Sequence, residues 1–489
     1  MLKRKPMFDV FYENKKAWPK LAWVAQIDMQ AKSICVFHGS MLEIGDEWAV
    51  EGVWDGDFKQ GGFDKTDFFY GSGLRKRDGK IVFVSSSTGV DRLWYVNDKS
   101  LAFIGNTLPG LLAVSKISLD TTYKTYQNDL NTVQTRGISS YVNKIKANPK
   151  DLCVVYFKNV VLHETGFIEV DKTDITPPFL DYESYLAFLN EKAVLLGQNA
   201  LDSSRKFKIE MLVGLSSGYD SIATAIVAKS SGCEKSVSIV NASSLWRGSD
   251  SGSFIAKKLG LACQLVKHNK NAYNHELSIW ANTGGSGGRN LTLFEYPKPL
   301  CLFFSGGYGD IVWDRNHCFI KEPRGGVNEM LCEFRLDEGV FVTVVPWWGI
   351  KRAKQIQELN HLNEMNPWVI NTNYDRPVAR RMIEEAGIQR GQFAQSKKNT
   401  ASNQPFLWPS TKEAHDKFNL YLVKCGMRPR SRFEVKFISF ACLVIKLINS
   451  NLLKFAPEAK KWKPWLKSPE RHMFFVWANS TLRDEYYRN

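Results

Sequence analysis

The sequence predicts an α/β protein in which a β-rich region precedes a parallel sheet covered by helices. Up to about residue 171, short apolar runs are separated by Gly, Asn and Asp, as in β-strands joined by turns. From Ile209 onward, strand-like and helix-like segments alternate, which is typical of βαβ units. The chain of 489 residues is long enough for two or three cores. We expect domains at 1–171 and 182–489, with a linker at 172–181.

Composition favours a soluble globular protein of a reducing compartment. Hydrophobic residues make up 44% of the chain, and its nine cysteines include no Cys-x-x-Cys pair, which argues against a disulfide scaffold or structural zinc. The first residues carry positive charge without an apolar core behind them, so no signal peptide is predicted. The longest apolar run, Phe437–Ile445, is far shorter than the roughly 20 residues that span a bilayer. We therefore expect a buried helix there, a cytoplasmic protein and no membrane partner.

The net charge of +15 is concentrated near the end of the chain. Residues 424–489 contain fourteen Lys/Arg and five Asp/Glu, a net charge of +9. Such a region could bind nucleic acid. No nucleic-acid-binding motif accompanies it, so a basic surface around a site for anionic substrates is favoured, and nucleic acid is not excluded.

In the β-rich region, strands are predicted at Ala22–Ile27, Ser33–Phe37 and Ile81–Val84. A hairpin is predicted from Val154–Phe157 to Val160–Leu162, turning at Lys158-Asn159. Pro177-Pro178 marks the linker. Asp181 is predicted to cap a helix that runs to about Leu201.

The apolar strand at Met211–Leu215 leads into Ser216-Ser-Gly-Tyr-Asp-Ser221 and then an apolar helix. Bare backbone amides at such a turn, with a helix N-terminus, form an anion cradle. The serine hydroxyls can donate to phosphate oxygens, and Asp220 can hold a divalent metal that bridges to them. No Gly-Lys-Ser/Thr follows, so this is not a P-loop. An ordinary strand–helix turn is the alternative.

Later segments extend the sheet. Strands are predicted at Val237–Val240 and Cys263–Val266, with a helix between them that is capped by Ser249-Asp250 and ends at Gly260. Ligands of parallel sheets bind at the carboxyl ends of the strands. Asn241 and Ala242, just after Val240, would there flank an adenine ring, or simply pack at the strand end.

The segment Pro299–Phe304, followed by Ser305-Gly-Gly-Tyr-Gly-Asp310, repeats the logic of the first motif. An apolar strand runs into a glycine turn and one carboxylate. Two strand–Gly–Asp motifs in one α/β region are more specific than either alone.

Ser216–Ser221 resembles the Ser-Gly-Gly-X-Asp-Ser pyrophosphate motif of the N-type ATP pyrophosphatases, which include asparagine synthetases, β-lactam synthetases and lasso-peptide cyclases. Ser305–Asp310 resembles the Ser-Gly-x-Gly-x-Asp-Glu segment of that superfamily. The resemblance implies a HUP-like synthetase domain that uses ATP and Mg²⁺, with Asp220 and Asp310 as metal ligands. The ATP-binding residues it implies are Leu215, Ser216, Ser217, Gly218, Tyr219, Asp220, Ser221, Val240, Asn241, Ser305 and Gly306.

The chain departs from the family pattern at three positions. Ser217 stands where the family has Gly, Gly307 replaces an acid, and Ile311 replaces the Glu after the metal Asp. Tyr308, one residue out of register, is the candidate to assist deprotonation of an attacking amine.

Residues 373–398 read as a helix that is stopped at Gly387 and leads into a basic loop. The segment resembles the Arg-rich helix of the family and the loop that carries its lysine. The resemblance implies that Lys397 or Lys398 stabilises charge on the α-phosphate. A solvated lysine pair is the alternative.

Before residue 171, Leu93–Leu112 and Gly52–Gly56 resemble parts of the glutaminase domain of asparagine synthetase, which implies an Ntn-type α+β sandwich. Glutaminase chemistry needs a Cys whose own α-amine is the base. Residue 2 is Leu, and the nearest cysteine, Cys35, lies in an apolar run and is expected in the core. The domain is therefore expected to lack glutaminase activity.

Together these features predict an ATP-dependent synthetase that adenylates a carboxylate, releases pyrophosphate and passes the acyl group to an amine. Small molecules or peptides would supply both groups, and a homodimer is left open. The alternatives are a pseudoenzyme that binds ATP or a partner, and an N-type pyrophosphatase that modifies a nucleic acid.

Overall fold

The computed structural model describes residues 8–98, 100–240, 250–267, 275–285, 288–324, 331–395, 408–455 and 469–487. Within these ranges the fold is mixed α/β and contains two large mainly antiparallel sheets, a two-stranded ribbon and one parallel sheet.

The strands are β1 Asp9–Asn14, β2 Trp23–Asp28, β3 Ser33–His38, β4 Glu43–Ile44, β5 Trp48–Trp54, β6 Phe69–Arg77, β7 Lys80–Val84, β8 Leu93–Asp98, β9 Leu101–Gly105, β10 Ser118–Leu119, β11 Lys144–Ile145, β12 Ala147–Asn148, β13 Leu152–Val155, β14 Lys158–His163, β15 Gly166–Asp171, β16 Ile209–Gly214, β17 Lys235–Val240, β18 Ala262–Lys267, β19 Leu300–Ser305 and β20 Val340–Val344. The α-helices are α1 Leu108–Ser115, α2 Tyr126–Leu130, α3 Thr132–Thr135, α4 Tyr182–Ala200, α5 Tyr219–Ser230, α6 Ser253–Leu259, α7 Glu276–Thr283, α8 Gly309–Val312, α9 Cys332–Glu338, α10 Ala353–Leu359, α11 Pro377–Glu385, α12 Lys412–Lys424, α13 Arg432–Phe455 and α14 Met473–Tyr486. Short 3₁₀ turns lie at Phe63–Lys65, Arg289–Thr292, Val345–Trp347, Ile350–Arg352, Asn363–Trp368, Arg390–Gln392 and Pro469–His472.

The β-rich region forms two sheets that pack face to face. One has the order β1-β3-β2-β9-β8-β13-β11, and the other β15-β14-β7-β6-β5-β4. Buried side chains from both, including Ile27 and Ile104 of the first and Phe83 and Val160 of the second, form one apolar cluster. Alternate side chains of a strand face opposite sides, so each sheet can supply this core and pack a second face elsewhere. The predicted strands at Ala22–Ile27, Ser33–Phe37 and Ile81–Val84 are confirmed as β2, β3 and β7.

The predicted hairpin at 154–162 is wrong, because its two strands belong to different sheets. β13 pairs with β8 in the first sheet, whereas β14 pairs with β7 and β15 in the second. Phe157, at φ +57°, redirects the chain between them. Lys158 and Asn159 lie within β14 rather than in a turn, and the real hairpin joins β14 to β15.

Residues 172–180 form neither helix nor strand, and α4 follows them. Asp181 caps α4, accepting from the amide of Ser184, as predicted. The core is nevertheless continuous across this segment. Phe68, before it, packs edge-to-face on Trp348 with ring centroids 4.9 Å apart. The domain boundaries remain a prediction.

The parallel sheet predicted from the strand–helix alternation is confirmed, with the order β18-β17-β16-β19-β20. Its central strand is β16, and the order of strands reverses between β16 and β19. Such a reversal is where open α/β sheets form a ligand crevice, at the carboxyl ends of the strands. One helix boundary was wrong: α6 begins at Ser253 after Gly252, so Asp250 does not cap it, and Ser249 lies outside the described residues.

Helices α12 and α14 pack around Trp408, Phe418 and Trp477 in a separate apolar cluster. The run Phe437–Ile445, predicted to be buried, lies in α13, where Phe437, Phe440 and Val444 are exposed. Among the described residues, no helix is long and apolar enough to cross a membrane.

Candidate active site

The loops after β16 and β19 meet at the reversal point of the parallel sheet. A Cβ added at Gly306 would lie 2.8 Å from the carbonyl carbon of Asp220 and 2.9 Å from the amide nitrogen of Ser221. One added at Gly309 would collide with the Asp220 carboxyl group. Because a side chain at either position would separate the loops, the glycines explain how the two predicted motifs come into contact.

The turn at Ser216–Ser221 is held by its own hydrogen bonds. The amide of Ser216 donates to Ser221 Oγ at 3.0 Å, and the amide of Gly218 donates to Ser216 Oγ at 3.2 Å. The amide of Ser217 donates to the Asp250 carbonyl at 3.2 Å, and the Ser217 hydroxyl donates to Asp250 Oδ1 at 2.7 Å. These three amides are therefore not bare, as the sequence suggested. The first turn of α5, where no side chain from the described residues caps Gly218, is the remaining anion-binding element.

Arg376 lies at the centre of the site, where it forms an ion pair with Asp220. Its side chain is only 1% exposed, and its Nε lies 3.7 Å from Asp314 Oδ2. Burial lowers the pKa of the guanidinium, but the Asp220 and Asp310 carboxylates more than offset this, so the net shift is upward. The site therefore contains a permanently charged internal cation.

Tyr374 lies beside Arg376, whose guanidinium carbon is 5.0 Å from the centroid of the tyrosine ring. Burial raises the pKa of its phenol, the charge of Arg376 lowers it, and the carboxylates of Asp220, Asp250 and Asp310 raise it further. The contact of Gly309 with the Asp220 carboxyl group brings Asp310, the next residue, into the same region as Asp220, although 90 residues separate the two aspartates in the sequence.

Asp220 and Asp310 can hold Mg²⁺ only if Arg376 gives up its contact with Asp220. Asp220 and Asp310 offer the hard oxygen donors that Mg²⁺ prefers. However, Asp220 is engaged by Arg376, and the described residues contain no group of three or more His, Cys, Asp or Glu placed to hold a metal ion. A cation at Asp220 would have to compete with the guanidinium and take further oxygen ligands from a substrate.

Helix α11 and the segment after it close over the start of α5. Arg380 donates to the hydroxyl of Tyr219, and the ring of Phe393 packs edge-to-face on Tyr219 at 5.6 Å. The amide of Ala394 donates to the Ser217 carbonyl at 2.8 Å. The chain thus reaches the Ser216–Ser221 turn three residues before Lys397. Lys397 and Lys398 lie outside the described residues.

The other predicted residues line the strand ends. Ser305 Oγ accepts from the amide of Gly307 at 3.1 Å. Tyr308 has φ +72° and packs edge-to-face on Trp347 at 4.8 Å, immediately before α8. Leu215 is buried and its amide donates to the Val237 carbonyl at 2.8 Å. Val240 ends β17 and is partly buried, and Asn241 and Ala242 lie outside the described residues.

Cys35 lies in the middle of β3, paired with Phe11 of β1 on one side and Gln26 of β2 on the other. Its side chain is half-buried rather than in the core, and burial raises the pKa of its thiol. In this position it has strands on both sides and no free α-amine. It does not have the arrangement that an N-terminal nucleophile needs.

Sequence reasoning missed four groups at the site: Arg376, Tyr374, Asp250 and Asp314. The Asn373–Pro377 segment was noted only as part of an Arg-rich helix, and Asp250 only as a helix cap. A usable signal was the spacing of Arg376 and Arg380, since residues four apart share one helix face.

Comparison with known proteins gives little further guidance. No family model matches the chain, and no curated protein matches it. Among solved structures, it is similar to a glutamine-dependent NAD+ synthetase from Acinetobacter baumannii in complex with adenosine diphosphate, at 13% identity and a TM-score of 0.22. That alignment covers 68% of this chain and 55% of the synthetase. So low a TM-score carries no argument about fold or function.

Proposed function

We propose that the protein is an ATP-dependent synthetase that activates a carboxylate as an acyl-adenylate, releases pyrophosphate and joins the acyl group to an amine. The observation that supports this most is the contact of the Ser216–Ser221 turn with the Ser305–Asp310 turn, through Gly306 and Gly309, at the reversal point of the parallel sheet. Two turns rich in Ser and Gly, each with one Asp, suit a nucleoside triphosphate better at one crevice than either would alone.

In this proposal the triphosphate lies against the first turn of α5, where helix amides and the partial positive charge of the helix end favour anions. Ser216 Oγ and Ser221 Oγ, 2.8 Å apart, can turn their hydrogens toward phosphate oxygens. Arg376 can exchange its contact with Asp220 for a phosphate, because guanidinium binds both groups through the same geometry. Asp220 and Asp310 would then hold Mg²⁺, which supplies charge neutralisation for the leaving pyrophosphate.

The carboxylate substrate attacks the α-phosphorus, and the α–β bridging oxygen leaves with pyrophosphate. The amine then attacks the acyl carbon, AMP leaves, and the amine loses one proton. Lys397 or Lys398 remains our candidate for charge stabilisation at the α-phosphate, and Tyr308 for assisting deprotonation of the amine through a hydrogen bond. The amine is proposed to be ammonia, an amine of the same substrate or one on a second substrate. Glutamine is not proposed as the source, because Cys35 lies within a paired strand and has no free α-amine to act as its base.

The Asp220–Arg376 ion pair favours a second candidate, an ATP-binding or partner-binding protein without synthetase chemistry. A guanidinium that neutralises Asp220 permanently would remove Asp220 as a metal ligand, while still offering positive charge to phosphates. This alternative predicts nucleotide binding that needs no divalent cation.

The two candidates are separated by measuring binding and chemistry on the same protein. ATP affinity is measured by calorimetry with and without Mg²⁺, and pyrophosphate release is followed with a panel of carboxylic acids and amines. The synthetase proposal expects Mg²⁺-dependent binding and acid-dependent pyrophosphate release, both lost in Asp220→Ala. Asp416→Ala, an exposed helix aspartate of α12, is the matched control. Binding without Mg²⁺ and without pyrophosphate release would favour an ATP-binding protein, and no ATP binding at all would reject the synthetase and the ATP-binding protein and leave the partner-binding one.

A further inference from the structure

Helix α13 carries a stripe of large apolar side chains that the rest of the described chain leaves exposed. The stripe consists of Phe433, Phe437, Phe440, Val444 and Ile448, which are 36–79% exposed. Their spacings of four, three, four and four residues place them on one helix face at about 100° per residue. At about 1.5 Å per residue the stripe extends over roughly 22 Å. A continuous apolar face of this size on a protein surface marks an interaction site.

The opposite face of α13 is less exposed than the stripe. Val435, Ile438, Ala441, Cys442 and Ile445 are all partly buried. Val435 also packs against the apolar cluster of α12 and α14. The exposed stripe is therefore not the side by which α13 attaches to its own chain, and it points outward.

Positive charge accompanies the stripe. Arg432 and Lys436 are exposed on the same helix, with Lys436 about 40° from the edge of the stripe at Phe440. By sequence α13 contains four Lys/Arg and one Asp/Glu, and residues 424–489 carry a net charge of +9. An apolar face edged by long basic side chains is the arrangement of helices that lie in the plane of an anionic bilayer surface.

The charge also decides between occupants. A second copy seated on the stripe would bring two helices of net charge +3 together, and their repulsion would oppose the apolar contact. An anionic lipid surface gains from both the apolar face and the basic residues. We propose that α13 is a membrane-surface anchor that docks the protein on anionic lipid, lying in the headgroup region without crossing the bilayer. The sequence analysis expected no membrane partner because this run is too short to span a bilayer; the proposal concerns the bilayer surface instead, and it rests on the run being exposed.

The proposal is tested by flotation of the full-length protein with vesicles of phosphatidylcholine alone or with about a third phosphatidylglycerol. We expect partitioning onto the anionic vesicles about tenfold stronger than onto the neutral ones, and weaker when salt rises from about 0.1 M to about 1 M. Phe437→Ser/Phe440→Ser should lower anionic partitioning by about tenfold or more. Leu420→Ser/Val423→Ser is the matched control, because both residues are exposed and apolar but lie on α12; it should partition like the wild type.

Thermal unfolding and circular dichroism of each variant establish that its fold is retained, which serine at exposed positions should allow. Light scattering of the same samples measures the oligomeric state. Absence of binding to anionic vesicles, or equal binding by the stripe variant, would overturn the proposal. So would a wild-type oligomer that the stripe variant dissociates, since the stripe would then be an interface between copies. Because ATP binding is not measured here, the outcome is independent of the proposed synthetase activity.

Discussion

Replacing Arg376 should destabilise the site more than replacing its partner Asp220. Arg376→Gln leaves Asp220 and Asp314 close together without their shared cation, and both carboxylates are largely buried, at 23% and 14% exposed. At 3.7 Å and an effective dielectric of about 20, one such pair is worth roughly 4 kcal/mol before desolvation is counted. Removing one partner of a buried pair costs about 3–5 kcal/mol. We expect a loss of about 3 kcal/mol, since Asp220 retains some solvent.

Asp220→Asn should cost less, about 1–2 kcal/mol, because Arg376 keeps Asp314 as a partner. The double variant Arg376→Gln/Asp220→Asn should be more stable than the sum of the single changes, by about 1–2 kcal/mol, since it never leaves the Asp220 charge exposed to Asp314.

A chain with several cores need not unfold in two states, so the assay is native-state hydrogen exchange of amides in α5 and α11. These helices carry Asp220 and border Arg376, and their opening free energies report the ion pair locally. Asp416→Asn is the control for loss of an exposed carboxylate. The reasoning is refuted if Arg376→Gln leaves α5 and α11 as protected as this control, or if the single effects are additive.

Three further results are expected. Gly309→Ala should lower ATP affinity by about tenfold or more in a calorimetric titration, because the added methyl group would push on the Asp220 carboxyl group. Gly391→Ala is the control, since Gly391 has open space around it, and it should leave the affinity unchanged. Burial raises the pKa of the Glu333 carboxyl group from 4.5 to about 7, so the cost of burying its charge is absent below pH 4.5 and complete above pH 7. Glu333→Gln should therefore raise the free energy of unfolding at pH 8 relative to pH 5, by up to about 3 kcal/mol in chemical denaturation. An unchanged pH profile of stability would contradict this. Cys35→Ser should leave amine-driven AMP formation unchanged, and the wild type should show no glutamine-driven turnover, which a glutaminase assay would detect.

Local pattern was sufficient for the parts of the fold in which one periodicity dominates. The parallel sheet followed from buried apolar runs such as β16 and β19 separated by helical segments, and Asp181 was identifiable as a helix cap from local chemistry alone. The hairpin prediction failed because Val155 and Val160 are equally suited to either sheet. Which sheet receives each strand is decided by packing across the sandwich, and a local pattern does not contain that information.

The site, like the fold, was predictable only where the signal lies in neighbouring residues of the sequence. The two Gly–Asp turns carry their chemistry in their own residues, so the sequence alone could single out Asp220 and Asp310, whose role as metal ligands stays a prediction. Arg376 was not found because its role depends on a partner 156 positions away. Nearby Arg381, on another face of α11, is 13% exposed and pairs with Glu183 and Glu364, which are 68% and 34% exposed. Composition alone cannot distinguish an arginine whose partners are internal from one whose partners face solvent.

The Asp220–Arg376 pair gives the site a way to remain stable without ligand. Asp220 and Asp314, both partly buried, would repel each other without a cation between them, and burial would increase that cost. Arg376 supplies the missing charge from within the chain. In the proposed synthetase, a triphosphate that arrives with its own cation would offer both members of the pair a new partner, the phosphate for the guanidinium and the metal for the carboxylate. Such an exchange preserves charge balance at every stage, so affinity for ATP should depend on the metal and Arg376 together. Arg376→Gln should accordingly bind Mn²⁺ alone more tightly than the wild type while binding ATP more weakly, and a variant weakened or strengthened for both would show that no exchange occurs.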